Sequence, residues 1–375
     1  MFYVAVRILL YDKARSLITL VGVIFAVGLI FNQLGIFLGL METSSVIIDN
    51  TPGDIWITSK NSKNFDFAQP FPEYTRNLVL GDNGVQWAEK LIVAWGIINQ
   101  KEGGTEQLEI VGFNVDTGVG GPWEMKEGST DLLRNGNFAI IDESAMGRLG
   151  NISVGEYRDV FSRRLQIVGI CKGVKSFTTA PVMYMSFPLA QKLVNYLPSE
   201  STVFIIVKVA PGVPVQGVAK RLRTLLKGND VYTKSEFSFK TRYYWAVETG
   251  VGFSFLLTII ISFLVGILIV GQTIYNSTME HIKEFGTLKA MGADNSDIYK
   301  IIISQAMINA LIGYVASLII TFLTAGLYDA IGMVLSVSWW VNLLVLLLTV
   351  CMCIIAAFIS IRRIKKIDPA ILFRG

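Results

Sequence analysis

Residues 279–293 read MEHIKEFGTLKAMGA and lie between two long apolar segments. The stretch carries Glu280, Lys283, Glu284 and Lys289, and charged side chains are costly in hydrocarbon. Gly286 and Gly292 bracket a short helical piece, and Leu288 and Met291, three apart, share one of its faces. The segment reads as a short helix lying across a membrane surface and pressed against something soluble. Its glycines let the chain turn out of one membrane helix and back into the next. A solvated linker between two membrane helices would carry the same charges, and the residues alone leave both readings open.

The flanking segments set the architecture. The 375 residues are 52% hydrophobic and 17% charged, with a mean hydropathy of +0.51, too apolar for an ordinary soluble protein. A basic, amphipathic stretch over 1–16 reads as an interfacial helix on the cytoplasmic face. No small-x-small cleavage site follows it promptly, and the next apolar run is long enough to span, so 17–41 is a first membrane helix rather than a signal peptide. A soluble block covers 42–244. A stalk and second membrane helix cover 245–278, and the charged segment covers 279–296. Membrane helices follow over 297–330 and 338–361, and a basic tail over 362–375. Asn32, Gln33 and Gln272 are polar positions inside spans, where such side chains pair across helix interfaces or touch substrate.

Short basic segments give the orientation. Arg7, Lys13 and Arg15 precede the first span. Lys283, Lys289 and Lys300 follow the second, and Arg362, Arg363, Lys365, Lys366 and Arg374 follow the fourth. The link between the third and fourth spans has Asp329 and no Lys or Arg. The positive-inside rule puts both termini in the cytoplasm and the soluble block outside. The expected fold class is an integral membrane α-helical protein with four transmembrane helices and a large α+β periplasmic domain inserted between helices 1 and 2.

Within the block, strands are expected at 54–58, 107–113, 138–142, 165–171, 182–186 and 203–209, each bounded by Gly, Pro, Asn or Asp. Helices are expected from Phe187, with Pro188 near the start, and over 215–227. The polar stretch 61–72 reads as an exposed loop. No proline interrupts 243–285, so one helix of roughly 60 Å could run from the block to the charged segment. Gly250 and Gly252 are its weak points.

Catalytic chemistry finds no set of residues. His281 is the sole histidine and lies outside the block, which removes His-based triads and most zinc sites. Gly173 to Ser176 lacks the spacing of a phosphate-binding loop. Three cysteines do not make a disulfide framework. No basic stripe interleaved with aromatics points to nucleic acid. The chain is expected to be no enzyme and to bind no metal.

Three motifs carry a family resemblance. EFGTLKAMGA over 284–293 resembles the coupling segment of MacB/FtsX-type (type VII) ABC transporter permeases. Arg362-Arg363-Ile364-Lys365-Lys366-Ile367-Asp368-Pro369-Ala370 resembles the basic tail that closes the same family. Phe25-Ala26-Val27, Phe31, Gln33-Leu34-Gly35 and Asp54-Ile55-Trp56-Ile57 are similar to the DevC-like branch. The resemblance covers both ends of the chain well and the middle loosely. It implies that Glu284, Phe285, Gly286, Leu288, Lys289, Ala290, Met291 and Gly292 dock a separate ABC ATPase. ATP and Mg would be bound by that partner, with no cofactor in this chain. It further implies a homodimer in the bacterial inner membrane and its lipids, and a HlyD/DevB-like periplasmic adaptor met through Phe65, Phe67 and Phe71. Beyond these it implies a TolC-like outer-membrane protein and export of a lipid-like or amphiphilic cargo. A regulator of a periplasmic cell-wall hydrolase, as in FtsX, and a membrane-anchored sensor are the alternatives.

Overall fold

The computed structural model describes residues 2–11, 13–101, 103–174, 176, 178, 180–330 and 333–364. The expected basic tail from 365 onward lies outside the described residues. The chain forms two compact units. One holds residues 1–38, 253–326 and 335 onward, and the other holds 39–252 with 327–334.

The chain enters through α1 (Phe2–Tyr11) and α2 (Lys13–Ser44). The soluble unit then contains α3 (Val46–Asn50), β1 (Ile55–Ser59), β2 (Phe71–Pro72), α4 (Thr75–Leu80), β3 (Val85–Asn99) and β4 (Thr105–Phe113). Next come β5 (Met125–Gly128), β6 (Phe138–Asp142), α5 (Met146–Leu149), β7 (Tyr157–Val160), β8 (Arg163–Cys171), β9 (Val182–Ser186) and α6 (Phe187–Leu193). The unit closes with β10 (Ser201–Thr202), β11 (Phe204–Val209), α7 (Val215–Leu225), β12 (Asn229–Thr233) and α8 (Lys234–Tyr243). Beyond it lie α9 (Val251–Glu280), α10 (Ile282–Ala290), α11 (Asn295–Ala330) and α12 (Trp339–Ile364).

Among the described residues, four helical stretches are long and apolar enough to cross a membrane: Ser16–Ser44, Val251–Glu280, Asn295–Tyr328 and Trp339–Arg362. Small residues bring them together. A Cβ added at Gly22 of α2 would lie 2.3 Å from Ile269 of α9, and one at Gly313 of α11 would lie 2.4 Å from Val23 of α2. Helices that gain no hydrophobic force from lipid pack in this way, through close approach and hydrogen bonds. Ser317 donates to the Ile24 carbonyl at 2.9 Å, and Ser360 to that of Gly271 at 2.8 Å.

The soluble unit is built on one mixed sheet, in the order β12-β1-β11-β3-β4-β9-β6-β8-β5, with β7 bridging β3 and β8. The strands expected from the sequence are present. The expectations missed the longest strand, β3, which pairs with β11 along its first half and β4 along its second. Being central, it is buried on successive residues over 91–94 and alternates only toward its end, at 94–99. The large core gathers Trp56, Phe65, Phe204 and Phe237 around one edge-and-stack aromatic set, with Phe65 parallel to Phe204 at 5.1 Å.

The single helix expected over 243–285 is interrupted. Residues 244–248 form a π-turn, and Gly250 takes φ +75°. Left-handed backbone is cheap only for glycine. The Thr249 hydroxyl then accepts from the Val251 N–H at 3.3 Å and starts α9 afresh. A second interruption at His281 separates α9 from α10.

Candidate functional site

The short helix α10 rests on one anchor. Phe285 is 6% exposed and packs into the core of the membrane unit, with Leu288 half-buried against it. Phe285 was expected among the docking residues, but its ring faces inward and holds the helix in place. Lys283, Glu284, Thr287 and Ala290 are exposed, at steps that fall on one outer face. His281, buried at the head of the helix, pairs with the Glu284 carboxylate. The side chain of Lys289 lies outside the described residues.

The two glycines differ in role. Gly292 takes φ +101°, and the Ala293 N–H reaches back to the Leu288 carbonyl at 3.0 Å. That six-to-one bond across a left-handed glycine is a Schellman closure. It ends the helix at Ala290 and leaves Met291 in the turn, 72% exposed, so Met291 does not share the burial of Leu288. Gly286 makes no turn. It lies inside α10, and a Cβ built on it would meet nothing within 4 Å. The chain re-enters the bundle at Asn295, where the Asp297 carboxylate accepts the Asp294 N–H at 3.4 Å.

The stretch 61–72 is only in part the exposed loop its composition suggests, with Asn61, Lys63, Phe67, Gln69 and Pro72 exposed. Phe65 and Phe71 are core residues, at 3% and 7% exposure, so neither is available as a docking residue. Two buried polar residues, Asn64 and Asp66, are turned on one another. Asn64 donates to the Asp66 carboxylate at 3.2 Å and accepts from the Phe67 N–H at 3.2 Å. The Trp95 indole donates to the Asp66 carbonyl at 3.0 Å. Phe67 alone of the three is exposed, at 48%, and its ring lies 5.9 Å from Trp245 in the π-turn. Trp245 in turn donates to the Asp66 carboxylate at 2.9 Å. Beside it, Arg242 of α8 binds Asp49 at 2.6 Å and Ser45 at 2.8 Å, which clamps the segment entering the soluble unit to the one leaving it.

Of the polar positions in the spans, Asn32 and Gln33 are half-buried, and the Asn32 Oδ1 has no hydrogen-bond partner. Gln272 is exposed and bonds locally to Asn276 at 3.2 Å rather than across a helix interface. Sequence reasoning passed over Gln305 and Asn309 of α11. Both are 5% exposed and line a small cavity with Ser16, Thr19, Thr273 and Ser277. Their signal was two amides one turn apart inside an apolar span.

The soluble sheet carries its own polar row. Burial raises the Asp142 carboxyl above its ordinary range, against N–H bonds from Ser144 and Val174. Burial first, and the neighbouring Asp142 second, push the Cys171 thiol far up, so it is inert as a nucleophile at neutral pH. Among the described residues no cluster of His, Cys, Asp and Glu could hold a metal ion.

Two family profiles match this chain. The FtsX-like permease C-terminal profile covers residues 253–369, and the MacB-like periplasmic core domain profile covers 16–225. An uncharacterized ABC transporter permease of Mycobacterium tuberculosis is 23% identical over 380 residues, which cover 100% of both chains. An uncharacterized ABC transporter permease of Methanocaldococcus jannaschii is 24% identical over 236 residues, 60% of this chain and 58% of that one. The crystal structure of the periplasmic region of MacB from Actinobacillus actinomycetemcomitans aligns with a TM-score of 0.39 at 14% identity, covering 51% of this chain and 94% of that one.

Proposed function

The chain belongs to the MacB/FtsX-type permeases of ABC transporters, and from that premise we propose that it is the non-catalytic membrane subunit of a tripartite exporter. An ABC permease implies an ATPase partner, and this sequence has no phosphate-binding loop of its own. The observation that carries the reading is the outer face of α10. Exposed Lys283 and Glu284 stand on a helix that a buried Phe285 holds in place, and an exposed Met291 lies in the turn that ends it. An exposed methionine beside polar residues suits a protein contact.

In this reading two copies form a homodimer in the inner membrane, with both termini and α10 in the cytoplasm and the sheet domain in the periplasm. The DevC-like motifs support a HlyD/DevB-like adaptor, a TolC-like tunnel and a lipid-like or amphiphilic cargo. ATP and Mg belong to the partner. Nucleotide-driven movement at α10 enters α9, whose 30 residues reach about 45 Å. It passes to the sheet domain through a joint at the π-turn and Gly250, and the Arg242–Asp49 clamp makes the two chain crossings move together. The stalk is therefore jointed rather than rigid in one piece.

Two substitutions test the coupling. Met291→Asp is expected to release the ATPase that copurifies with the wild-type permease in mild detergent, and to leave the thermal midpoint of the permease unchanged. Charge burial in that contact would weaken binding by at least about 2 kcal/mol, some thirtyfold. Phe285→Ala is expected to lower the thermal midpoint, since buried Phe→Ala costs about 3–5 kcal/mol. Full ATPase retention by Met291→Asp would overturn the assignment of this face.

A further inference from the structure

Glu109 of β4 is 2% exposed, and its Oε1 has no hydrogen-bond partner. The strand register shows what it stands beside. Val111 lies opposite Tyr184 on β9, Tyr184 opposite Ile140 on β6, and Asp142 opposite Cys171 on β8. Paired residues share a face and alternate residues return to it. Glu109, Tyr184, Asp142 and Cys171 therefore leave one face of four neighbouring strands. The buried Tyr184 hydroxyl is also without a partner. At the Glu109 end the row meets Asp66, whose carboxylate receives the Trp245 indole N–H. Asp66, Glu109, Phe65 and Ser176 line a cavity of about 10 Å³.

Two buried carboxyl groups beside one another need positive charge. Among the described residues no cation supplies it. Lys63, on the same loop as Asp66, is held by Glu248 at 3.3 Å, and Arg242 is held by Asp49. On β4, Glu106 is taken by Arg148 at 2.8 Å, and Lys172, which follows Cys171, is exposed. Thr43 and Ser44, which also border the cavity, turn their hydroxyls to backbone carbonyls of their own helix. The size of the cavity separates a metal ion from a proton. It has room for about one water, whereas Ca²⁺ needs six to eight oxygens and Mg²⁺ keeps several waters. A proton needs no room.

We propose that Asp66 and Glu109 form a proton-binding site in the soluble domain, and that losing its proton to solvent loosens the hold of the 61–72 loop on Trp245. With the site filled, Glu109 is neutral and Asp66 keeps the indole bond. With it empty, two like charges lie buried together, and the segment that yields is the one Asp66 sits on. Burial, then the Asp66 charge, push the Glu109 carboxyl up to about 8, opposed by a hydrogen bond from the Ser176 side chain. Burial raises Asp66 to about 6, opposed by the Trp245 N–H. Both shifts are upward, so the folded protein binds more protons than the unfolded chain from the ordinary carboxylate range up to about pH 8. Stability is therefore fully present at low pH and falls as pH rises through that window.

The test uses the full-length permease in detergent. The wild-type thermal midpoint is expected to fall between about pH 5 and pH 9, and Glu109→Gln, which mimics the protonated acid, to remove most of that fall and to exceed wild type at the alkaline end. Infrared difference spectra are expected to lose a protonated-carboxyl carbonyl band over the same range in wild type. Asp66→Asn is expected to move that loss to lower pH by removing one of the causes that raise Glu109. The infrared arm needs only wild type and Asp66→Asn, so it decides even if Glu109→Gln fails to fold. A wild-type midpoint indifferent to pH, or a band that Asp66→Asn leaves in place, would overturn the proposal. A midpoint raised by Ca²⁺, Mg²⁺ or Na⁺ in wild type but not in Glu109→Gln would replace the proton with a metal ion.

Discussion

Two stretches of this chain look alike on paper, polar with aromatics and glycine or proline, and they end up with opposite roles. In 282–291 one aromatic, Phe285, turns inward and most of the remaining side chains face out. In 61–72 two of three aromatics are core, and Asn64 and Asp66 are buried against one another while Asn61, Lys63 and Gln69 face out. The difference lies in what the local backbone offers. A helix satisfies its own N–H and C=O groups, so its charged side chains are free to face water or a partner. An irregular segment must find partners for its backbone, and Asn64, which accepts from the Phe67 N–H, and Trp95, which donates to the Asp66 carbonyl, are recruited for that. Composition alone therefore marks α10 as a surface and hides the buried residues of 61–72, Asn64, Phe65, Asp66 and Phe71 among them.

The largest effect that can break this contrast belongs to the buried loop. Phe65→Ala is expected to destabilise the permease by about 3–5 kcal/mol, because it empties a site stacked on Phe204 and edge-on to Trp56. Phe67→Ala, two residues on, removes two aromatic contacts at a half-exposed position and is expected to cost about 1 kcal/mol. Chemical or thermal unfolding of the two variants checks the ratio. Equal, small effects would return 61–72 to the surface. The same pair sharpens the adaptor proposal, since Phe67 alone of the three phenylalanines is exposed enough to be crosslinked to an adaptor.

A smaller effect tests the joint. Gly250 is left-handed with open space around it, so Gly250→Ala adds backbone strain alone, about 1–2 kcal/mol. Gly250→Asn, which tolerates that conformation better, is expected to cost less. The measurement is the thermal midpoint of each variant against wild type. If alanine is neutral or stabilising, the chain there is continuous helix, as the absence of proline suggested.

Much of the architecture was legible in the residues. The four spans declare themselves by apolar length, and six strands by short runs between turn residues. What was hidden depends on partners distant in sequence. Strand β3 carries Glu89 and Lys90 mid-length, which argue against a buried strand until Asn114 and Glu73 are seen to receive them. The break before α9 was equally hidden. Gly250 and Gly252 are alike in sequence, yet only Gly250 turns left-handed, while a Cβ at Gly252 would lie 2.4 Å from the Ala246 carbonyl. Of the coupling residues, the charged segment was visible, but the inward turn of Phe285 was not, because one phenylalanine among exposed residues reads equally well as a contact or as an anchor.

The smallest expected effect on stability separates those two readings of α10. Gly286 lies in mid-helix, where glycine is less favourable than alanine by about 1 kcal/mol, and nothing in this chain occupies the space its Cβ would fill. The fold therefore gives no reason for a glycine here, and Gly286→Ala is expected to raise the thermal midpoint slightly. If a partner backbone or side chain approaches α10 at this point, the added methyl meets it, and retention of the ATPase falls although the permease is more stable. Gly286→Leu enlarges the second effect without placing a charge. A solvated linker predicts the first change without the second. Opposite signs in the two assays, stability up and ATPase binding down, would identify the surface at Gly286 as a docking face, and unchanged binding in both variants would confine the contact to the Met291 end of the helix.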